Sequence, residues 1–193
     1  MHDEIGAGLS RIKILSDIAL IEKDHNEHSL ELVKDSATEI TEKLREIVWS
    51  MNQENENLNK LAQKLQTIAE DQFTNLDIQL ALSVDPTVPE IELPPIKIRN
   101  ILMVYRELLN NTIKHSQAKK VTINIQYKEP ILSIQIADNG IGFDTQGNFK
   151  NNNGLKIIQD RMNEIEADIN TTSEKNTGTT TTVLIPINNM AML

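Results

Sequence analysis

Residues 131–143 read ILSIQIADNGIGF, and this stretch decides the fold. The segment Ile131 to Ala137 alternates in polarity and predicts a half-buried β-strand. The strand ends on a carboxylate, Asp138, which is followed by two closely spaced glycines, Gly140 and Gly142. Glycine lets the backbone approach a ligand closely, so this end of the strand is a candidate nucleotide pocket. Asp-Asn-Gly is also an ordinary turn sequence, so a simple turn remains the alternative at this point.

The helix predicted upstream, from about Ile96 to His115, has two distinct faces. At ~100° per residue its apolar side chains fall on one side, and Glu107, Asn111 and Lys114 fall on the other. A charged outer face is common on surface helices and needs no function. The glycine-rich segment that follows favours the other interpretation, a site that combines carboxylate, amide and ammonium groups.

Two more glycine elements lie downstream. Asn153-Gly154-Leu155 opens a helix predicted to run to about Glu166, and helix N-termini attract phosphate groups. Gly178 and Thr179 begin the last predicted strand. The other elements are predicted as strands at 78–84, 121–127, 169–172 and 179–186, and as a helix through Leu58, Leu61, Leu65 and Ile68. This mixed order indicates an α+β fold with helices on one face of a sheet.

Residues 1 to about 55 show a helical pattern without a strand signal. An apolar heptad seam from Leu30 to Met51 follows a similar stripe from Ile5 to Ala19, with a polar stretch at 22–28 between them. This indicates a helical hairpin at 1–55 and a second domain at 56–193. Two helices cannot enclose a core, so the seam packs either on the rest of the chain or on a second copy in a four-helix bundle. We favour the dimer because the second domain has its own core pattern.

The composition argues against several classes of function. The net charge of −9 makes the surface repel phosphate backbones, so we expect no nucleic-acid binding. Cysteine is absent, which removes disulfides, Cys-based zinc sites and thiol nucleophiles. No apolar run reaches the ~20 residues that span a bilayer, and the start does not read as a signal peptide, so we expect no membrane contact in this chain.

Four motifs in this chain resemble, in the same order, the four sequence motifs (boxes) of the Bergerat-type ATP-binding domain. The boxes and their spacing are those of its histidine-kinase branch, and the resemblance covers roughly residues 57–187. It implies an α/β sandwich with a mixed sheet, helices on one face, and ATP and Mg²⁺ as cofactors. The motifs are Glu107-x-x-x-Asn111-x-x-Lys114-His115, Asp138-x-Gly140-x-Gly142, Asn153-Gly154-Leu155 and Gly178-Thr179.

The resemblance implies a role for each polar side chain. Asn111 would give its amide oxygen to Mg²⁺, an ion that keeps water and phosphate ligands as well. Glu107 would orient or polarise a metal-bound water, and Lys114 would lie near the phosphates. His115 would do the same or cap the helix. Asp138 would accept a hydrogen bond from the adenine amino group, which should disfavour guanine by ~1–3 kcal/mol because guanine has an oxygen there.

The glycine motifs would shape the rest of the pocket. Thr179 would support the adenine through its hydroxyl, and Gly140, Gly142 and Gly154 would frame a mobile lid. The cofactor-binding residues implied by the resemblance are Asn111, Lys114, His115, Asp138, Gly140, Gly142, Asn153, Gly154, Leu155, Gly178 and Thr179, with Asn111 also the metal ligand.

The start of the chain resembles the dimerisation and phosphoacceptor module of histidine kinases with an HD-type acceptor motif. The resemblance implies that His2 takes the γ-phosphoryl group of ATP, with Asp3 and Glu107 as the other catalytic residues. Neutral imidazole is a good nucleophile near pH 7, and an adjacent carboxylate can hold its tautomer and take its proton. The phosphoryl group would then pass to an Asp of a response regulator. The protein would be a homodimer and the cytoplasmic portion of a membrane-bound bacterial sensor.

The sequence departs from the family pattern at Ala7, at Asn152 and at its start. Ala7 stands where the subfamily often has a Gln that positions water for dephosphorylating the partner, and Asn152 replaces the first glycine of the lid. Only Met1 precedes His2, so we expect a truncated fragment that binds ATP but phosphorylates itself poorly.

Two other functions are compatible with parts of this pattern. A Bergerat-type ATPase or an anti-sigma-like serine kinase would need the ATP boxes but not His2. A dimeric interaction module with a degenerate nucleotide pocket would need neither activity. The intact Glu107, Asn111 and Asp138 argue against the latter.

Overall fold

The computed structural model describes residues 57–144 and 153–187 continuously, together with scattered positions between 9 and 49. The chain divides into two compact units, Met1–Trp49 and Ser50–Leu193. In the first unit every described residue is helical, as the heptad seam predicts. The predicted turn at 22–28 and the predicted acceptor motif, His2 and Asp3, lie outside the described residues.

The second unit contains three helices and five strands among its described residues, in the predicted order. The predicted elements are all confirmed, with small changes at their ends. The helix predicted to reach Glu166 ends at Glu164, because the chain turns at Ile165 and Glu166, and Glu166 takes a left-handed conformation with φ 58. The elements are α1 Leu58–Phe73, β1 Gln79–Val84, α2 Pro95–His115, β2 Lys120–Lys128, β3 Ile131–Asp138, α3 Asn153–Glu164, β4 Asp168–Glu174 and β5 Gly178–Pro186.

The five strands form one mixed sheet in the order β1-β2-β3-β5-β4. β1 runs parallel to β2, and the other neighbours are antiparallel. β5 therefore lies between β3 and β4, although β4 precedes it in the chain. This order places Asp138 at the end of β3 directly opposite Thr179 at the start of β5.

One face of the sheet is buried under the helices. Alternate residues of β2 and β3 point into this core, as the predicted alternation requires. Burial of each large aliphatic side chain contributes about 1.5–3 kcal/mol, so this layer is the main source of stability. The buried residues on this face are Val121, Ile123, Ile125, Leu132, Ile134, Ile136, Val183 and Ile185. None of the helices described has both the length and the apolar run that a bilayer crossing needs.

A buried polar cluster joins α2 to α3. Asn100 is 0% exposed, and its Nδ2 donates to Glu164 Oε2 at 2.8 Å and to the carbonyl oxygen of Arg161 at 3.3 Å. A buried amide is costly without such partners, so the cluster favours one arrangement of the two helices. The cluster fixes the C-terminal end of α3, the helix that begins at Asn153.

Tyr105 carries a buried hydroxyl that has no hydrogen-bond partner among the described residues. Its side chain is 1% exposed, and burial raises the pKa of the phenol above its ordinary value. A buried unsatisfied hydroxyl costs about 1–3 kcal/mol. We therefore expect Tyr105→Phe to raise the free energy of unfolding by about 1 kcal/mol, measured by urea denaturation. Tyr127→Phe, at a partly exposed side chain, is the control, and a less stable Tyr105→Phe protein would contradict this account.

Candidate functional site

The polar face of α2 is built as predicted. Its apolar residues Ile98, Leu102 and Leu109 are each 0% exposed, which turns Glu107 and Asn111 away from the core at half-buried positions. Neither side chain is engaged by a hydrogen bond or ion pair with the residues that the structure describes at 57–144 and 153–187.

The last turn of α2 is basic and open to solvent. Lys114 and His115 are exposed and lie in this turn. Cations are stabilised at a helix C-terminus by the helix dipole, which explains their place in structural terms. The same position leaves both side chains free of the core, so they can reach an anionic group.

The loop after β3 packs directly on the end of α2. The amide of Ile141 donates to the carbonyl oxygen of Ser116 at 2.8 Å, and a Cβ on Gly140 would lie 2.1 Å from that oxygen. Asn139 Oδ1 accepts from the amides of Lys119 at 3.0 Å and Lys120 at 2.8 Å. These contacts bring the carboxylate-bearing end of β3 beside the basic end of α2.

Asp138 is a half-buried acceptor at the centre of this junction. Its Oδ1 accepts from the amide of Gly140 at 2.8 Å. Burial raises the pKa of the Asp138 carboxyl above its ordinary value, and the backbone amides of Gly140 and Thr179 partly oppose that shift. A partly desolvated carboxylate of this kind gains from a ligand that offers a hydrogen-bond donor.

Two of the predicted glycines allow the backbone to pack closely against the turn between β4 and β5. Gly142 has φ 54, and a Cβ on it would lie 2.0 Å from the carbonyl oxygen of Glu174. Gly178 has φ 103, and a Cβ on it would lie 1.9 Å from the carbonyl oxygen of Asp138. L-residues are strained at such angles, so glycine is required at both places. The loop after β3 is therefore held between the end of α2 and the β4–β5 turn.

Ser173, on β4, contacts the same loop and was not predicted as a site residue. Its Oγ accepts from the amide of Phe143 at 2.9 Å and lies 2.9 Å from Thr179 Oγ1. The sequence holds a weak signal for this residue, because Ser173 follows Thr171 at the two-residue spacing of a strand.

For the predicted motif Asn153-Gly154-Leu155 the structure describes the backbone helix only. The helix predicted at Asn153-Gly154-Leu155 does begin at Asn153, but the side chains of 153–155 lie outside the described residues. The structure thus brings together three of the four predicted motifs, from α2, from the end of β3 and from the start of β5.

The described residues do not form a complete metal site by themselves. No group of three or more His, Cys, Asp or Glu side chains in the described ranges could hold a metal ion. Mg²⁺ is commonly bound through one or two protein oxygens together with water and substrate phosphates. The oxygens of Asn111 and Glu107 fit that donor set.

Known proteins resemble this chain in sequence and in fold. Residues 97–189 match the family described as histidine kinase-, DNA gyrase B-, and HSP90-like ATPase. Over 118 residues the chain is 30% identical to the sensor protein VraS of Staphylococcus epidermidis and 28% identical to that of Staphylococcus aureus. That match covers 61% of this chain and 34% of each relative, so the chain spans about a third of the length of the curated relatives it matches.

Solved structures share the fold at low sequence identity. The histidine kinase domain of a blue-light activated histidine kinase from Erythrobacter litoralis has a TM-score of 0.60 at 16% identity, over 94% of both chains. The histidine kinase AdeS of Acinetobacter baumannii has a TM-score of 0.60 at 17% identity, over 98% of this chain and 99% of its own. At these identities the likeness concerns the fold.

Proposed function

We propose that this chain is the catalytic core of a sensor histidine kinase, with an ATPase domain of the histidine kinase-, DNA gyrase B-, and HSP90-like family. In this proposal residues 56–193 bind ATP with Mg²⁺, and residues 1–55 form a dimerisation and phosphotransfer hairpin. The γ-phosphoryl group of ATP moves to His2 and then to an aspartate of a response regulator. The chain is the cytoplasmic portion of a membrane-bound bacterial sensor.

The observation that carries the proposal is the convergence of three motifs on one loop. The loop that follows Asp138 rests on the carbonyl of Ser116 at the end of α2 and on the β4–β5 turn beside Gly178. Each motif is weak on its own, because a polar helix face or an Asp-Asn-Gly turn has ordinary structural explanations. Their meeting around a partly desolvated carboxylate supports a nucleotide pocket.

The chemistry of Asp138 favours adenine over guanine. Its carboxylate can accept a hydrogen bond from the amino group of adenine. Guanine presents an oxygen at the same position, so two acceptors would face each other and both would lose their bonds to water. That mismatch costs about 1–3 kcal/mol.

The polar end of α2 suits the phosphates. Asn111 would hold Mg²⁺ through its amide oxygen, and Glu107 would orient a water in the ion's shell. Lys114 and His115 are exposed in the last turn of α2, where they can approach the phosphate oxygens. A bound Mg²⁺ neutralises charge on the transferring phosphoryl group.

The helical unit has apolar residues that a second copy could cover. Leu9 of the upstream stripe is 55% exposed in the single chain, and Leu30 and Leu44 of the seam are 54% and 42% exposed. A four-helix bundle of two hairpins would bury them, and closed two-fold dimers are the commonest oligomers. Asp3 is the proposed base beside His2.

Phosphate mapping with Mg-ATP labelled at the γ position tests the proposal. We expect an acid-labile label on His2 of the wild-type protein and its loss in His2→Gln, because no other imidazole occupies the acceptor position. His25→Gln, in the polar stretch 22–28, is the matched control and should keep the label. A label that persists in His2→Gln would instead identify a serine kinase, and ATP hydrolysis without any label would identify a plain ATPase.

A further inference from the structure

Two hydroxyl pairs connect β4 to β5 on the face of the sheet that the helices cover. Thr171 Oγ1 lies 3.0 Å from Thr181 Oγ1, and one step further along the strands Ser173 Oγ lies 2.9 Å from Thr179 Oγ1. The strand register continues the second pair to Asp138, which is opposite Thr179. Ser173, Thr179 and Asp138 therefore form one row across three strands.

Ser173 makes two contacts beyond this pair. Its Oγ accepts from the amide of Phe143 at 2.9 Å, and it donates to the carbonyl oxygen of Gly178 at 3.1 Å. Phe143 directly follows Gly142, at the end of the loop that packs on α2 and on the β4–β5 turn. The one hydroxyl thus links β4, the start of β5 and the end of the loop that begins at Asp138.

The number of protons available decides which residue donates in the hydrogen bond between Ser173 Oγ and Thr179 Oγ1. A serine hydroxyl has a single proton, and a carbonyl oxygen can only accept. If the proton of Ser173 goes to Gly178, the proton between Ser173 and Thr179 must come from Thr179. The oxygen of Thr179 then has lone pairs to offer a ligand and no proton.

We propose that Ser173 is a positioning residue of the adenine pocket, which fixes the Thr179 hydroxyl as a hydrogen-bond acceptor and ties the Asp138 loop to β4. The inference rests on the proposed ATP-binding function. Asp138 and Thr179 then present two acceptors from the same row, and together they select a base or an ordered water that brings donors. A purine with a carbonyl at the 6-position is disfavoured by both residues.

Nucleotide binding to the full chain with Mg²⁺, measured by calorimetry, tests this role. We expect Ser173→Ala to raise the Kd for ATP roughly three- to tenfold, because the loop loses its tie to β4 and Thr179 regains a free proton. The preference for ATP over inosine triphosphate should fall by a similar factor, since a Thr179 hydroxyl that is free to donate can form a hydrogen bond to the 6-carbonyl oxygen of inosine. Ser173→Thr keeps the hydroxyl and should restore both values.

Thr171→Val is the matched control. It removes a hydroxyl from the equivalent pair on the same strand and the same face, two positions away, where no contact with Phe143 or Thr179 exists among the described bonds. We expect it to leave both the ATP affinity and the preference over inosine triphosphate unchanged. A loss as large as that of Ser173→Ala would overturn the positioning role, because any cross-strand hydroxyl would then have the same effect.

A second readout needs no nucleotide. The amide of Phe143 should exchange its hydrogen faster in Ser173→Ala than in the wild-type protein, and at the wild-type rate in Thr171→Val. Unchanged exchange together with unchanged affinities would overturn the inference. If Ser173→Ala does not fold, Ser173→Cys, which is a much weaker donor and acceptor, is judged by the same criteria. A wild-type protein that binds no ATP would instead overturn the proposed function.

Discussion

Gly178→Ala is expected to abolish ATP binding and to lower the free energy of unfolding by about 3 kcal/mol. Gly178 has φ 103, a conformation that L-residues rarely adopt. A Cβ there would lie 1.9 Å from the carbonyl oxygen and 2.8 Å from the carbonyl carbon of Asp138. These are backbone atoms of a central strand and cannot move aside as a flexible side chain would. The variant therefore pushes β5 away from Asp138, the residue proposed to read the adenine.

Urea denaturation and calorimetric titration with ATP measure the two effects. Thr177→Ala, at the exposed neighbouring position of the same turn, is the control and should behave like the wild-type protein within about 0.5 kcal/mol. A Gly178→Ala protein as stable as the control would show that β5 can begin elsewhere without cost. The packing account of this glycine would then be wrong.

Asp138→Asn is expected to weaken ATP binding and, at the same time, to stabilise the fold. The variant should bind ATP roughly 5- to 150-fold more weakly, at a cost of about 1–3 kcal/mol. With Oδ1 bonded to Gly140, asparagine offers the adenine amino group an NH₂, which cannot accept a hydrogen bond. The variant should also be more stable than the wild-type protein at pH 7. The asparagine Oδ1 can still accept from the amide of Gly140, so the loop keeps that bond.

The raised pKa of the Asp138 carboxyl determines whether Asp138→Asn stabilises or destabilises the protein. Burial raises the pKa of Asp138, so the folded protein resists ionisation of this group more than the unfolded chain does. Its contribution to the free energy of unfolding therefore decreases as the pH rises through about 3.9, the ordinary value for aspartate, and stays lower above the folded pKa. Asparagine does not ionise and lacks this penalty.

Denaturation curves between acid and neutral pH test this expectation. The difference in stability between Asp138→Asn and the wild-type protein should grow as the pH rises from below 4 to 7. Asp160→Asn, at an exposed position on α3, is the control and should follow the wild-type curve. Equal curves for Asp138→Asn and the wild-type protein would contradict the raised pKa, and unchanged ATP affinity would remove Asp138 from the pocket.

The elements of the fold were predictable because the sheet buries a single face. A half-buried strand must alternate, and that alternation is visible at 78–84, 121–127 and 131–137. The strand order was not predictable in the same way. Nothing in the local pattern tells that β5 inserts between β3 and β4, yet this insertion is what sets Thr179 opposite Asp138.

The site was predictable where its residues form motifs and hidden where they make long-range contacts. Glu107, Asn111 and Asp138 stand at spacings that a known family shares, so the resemblance assigned them. Asn100 and Ser173 lack such context, and a single buried asparagine or strand serine looks like any polar residue in sequence. Their hydrogen bonds are to partners far along the chain, Glu164 for the first and Phe143 for the second.

The hydrogen bonds of Asn100 anchor α3 at its C-terminal end. They hold the helix near Arg161 and Glu164, at its last turn, while its first turn at Asn153 lies at the opposite end. A helix of 12 residues is about 18 Å long, so a rotation of about 10° around that fixed end carries the first turn through about 3 Å. A rotation of α3 about this anchored end would therefore displace its first turn far more than its last.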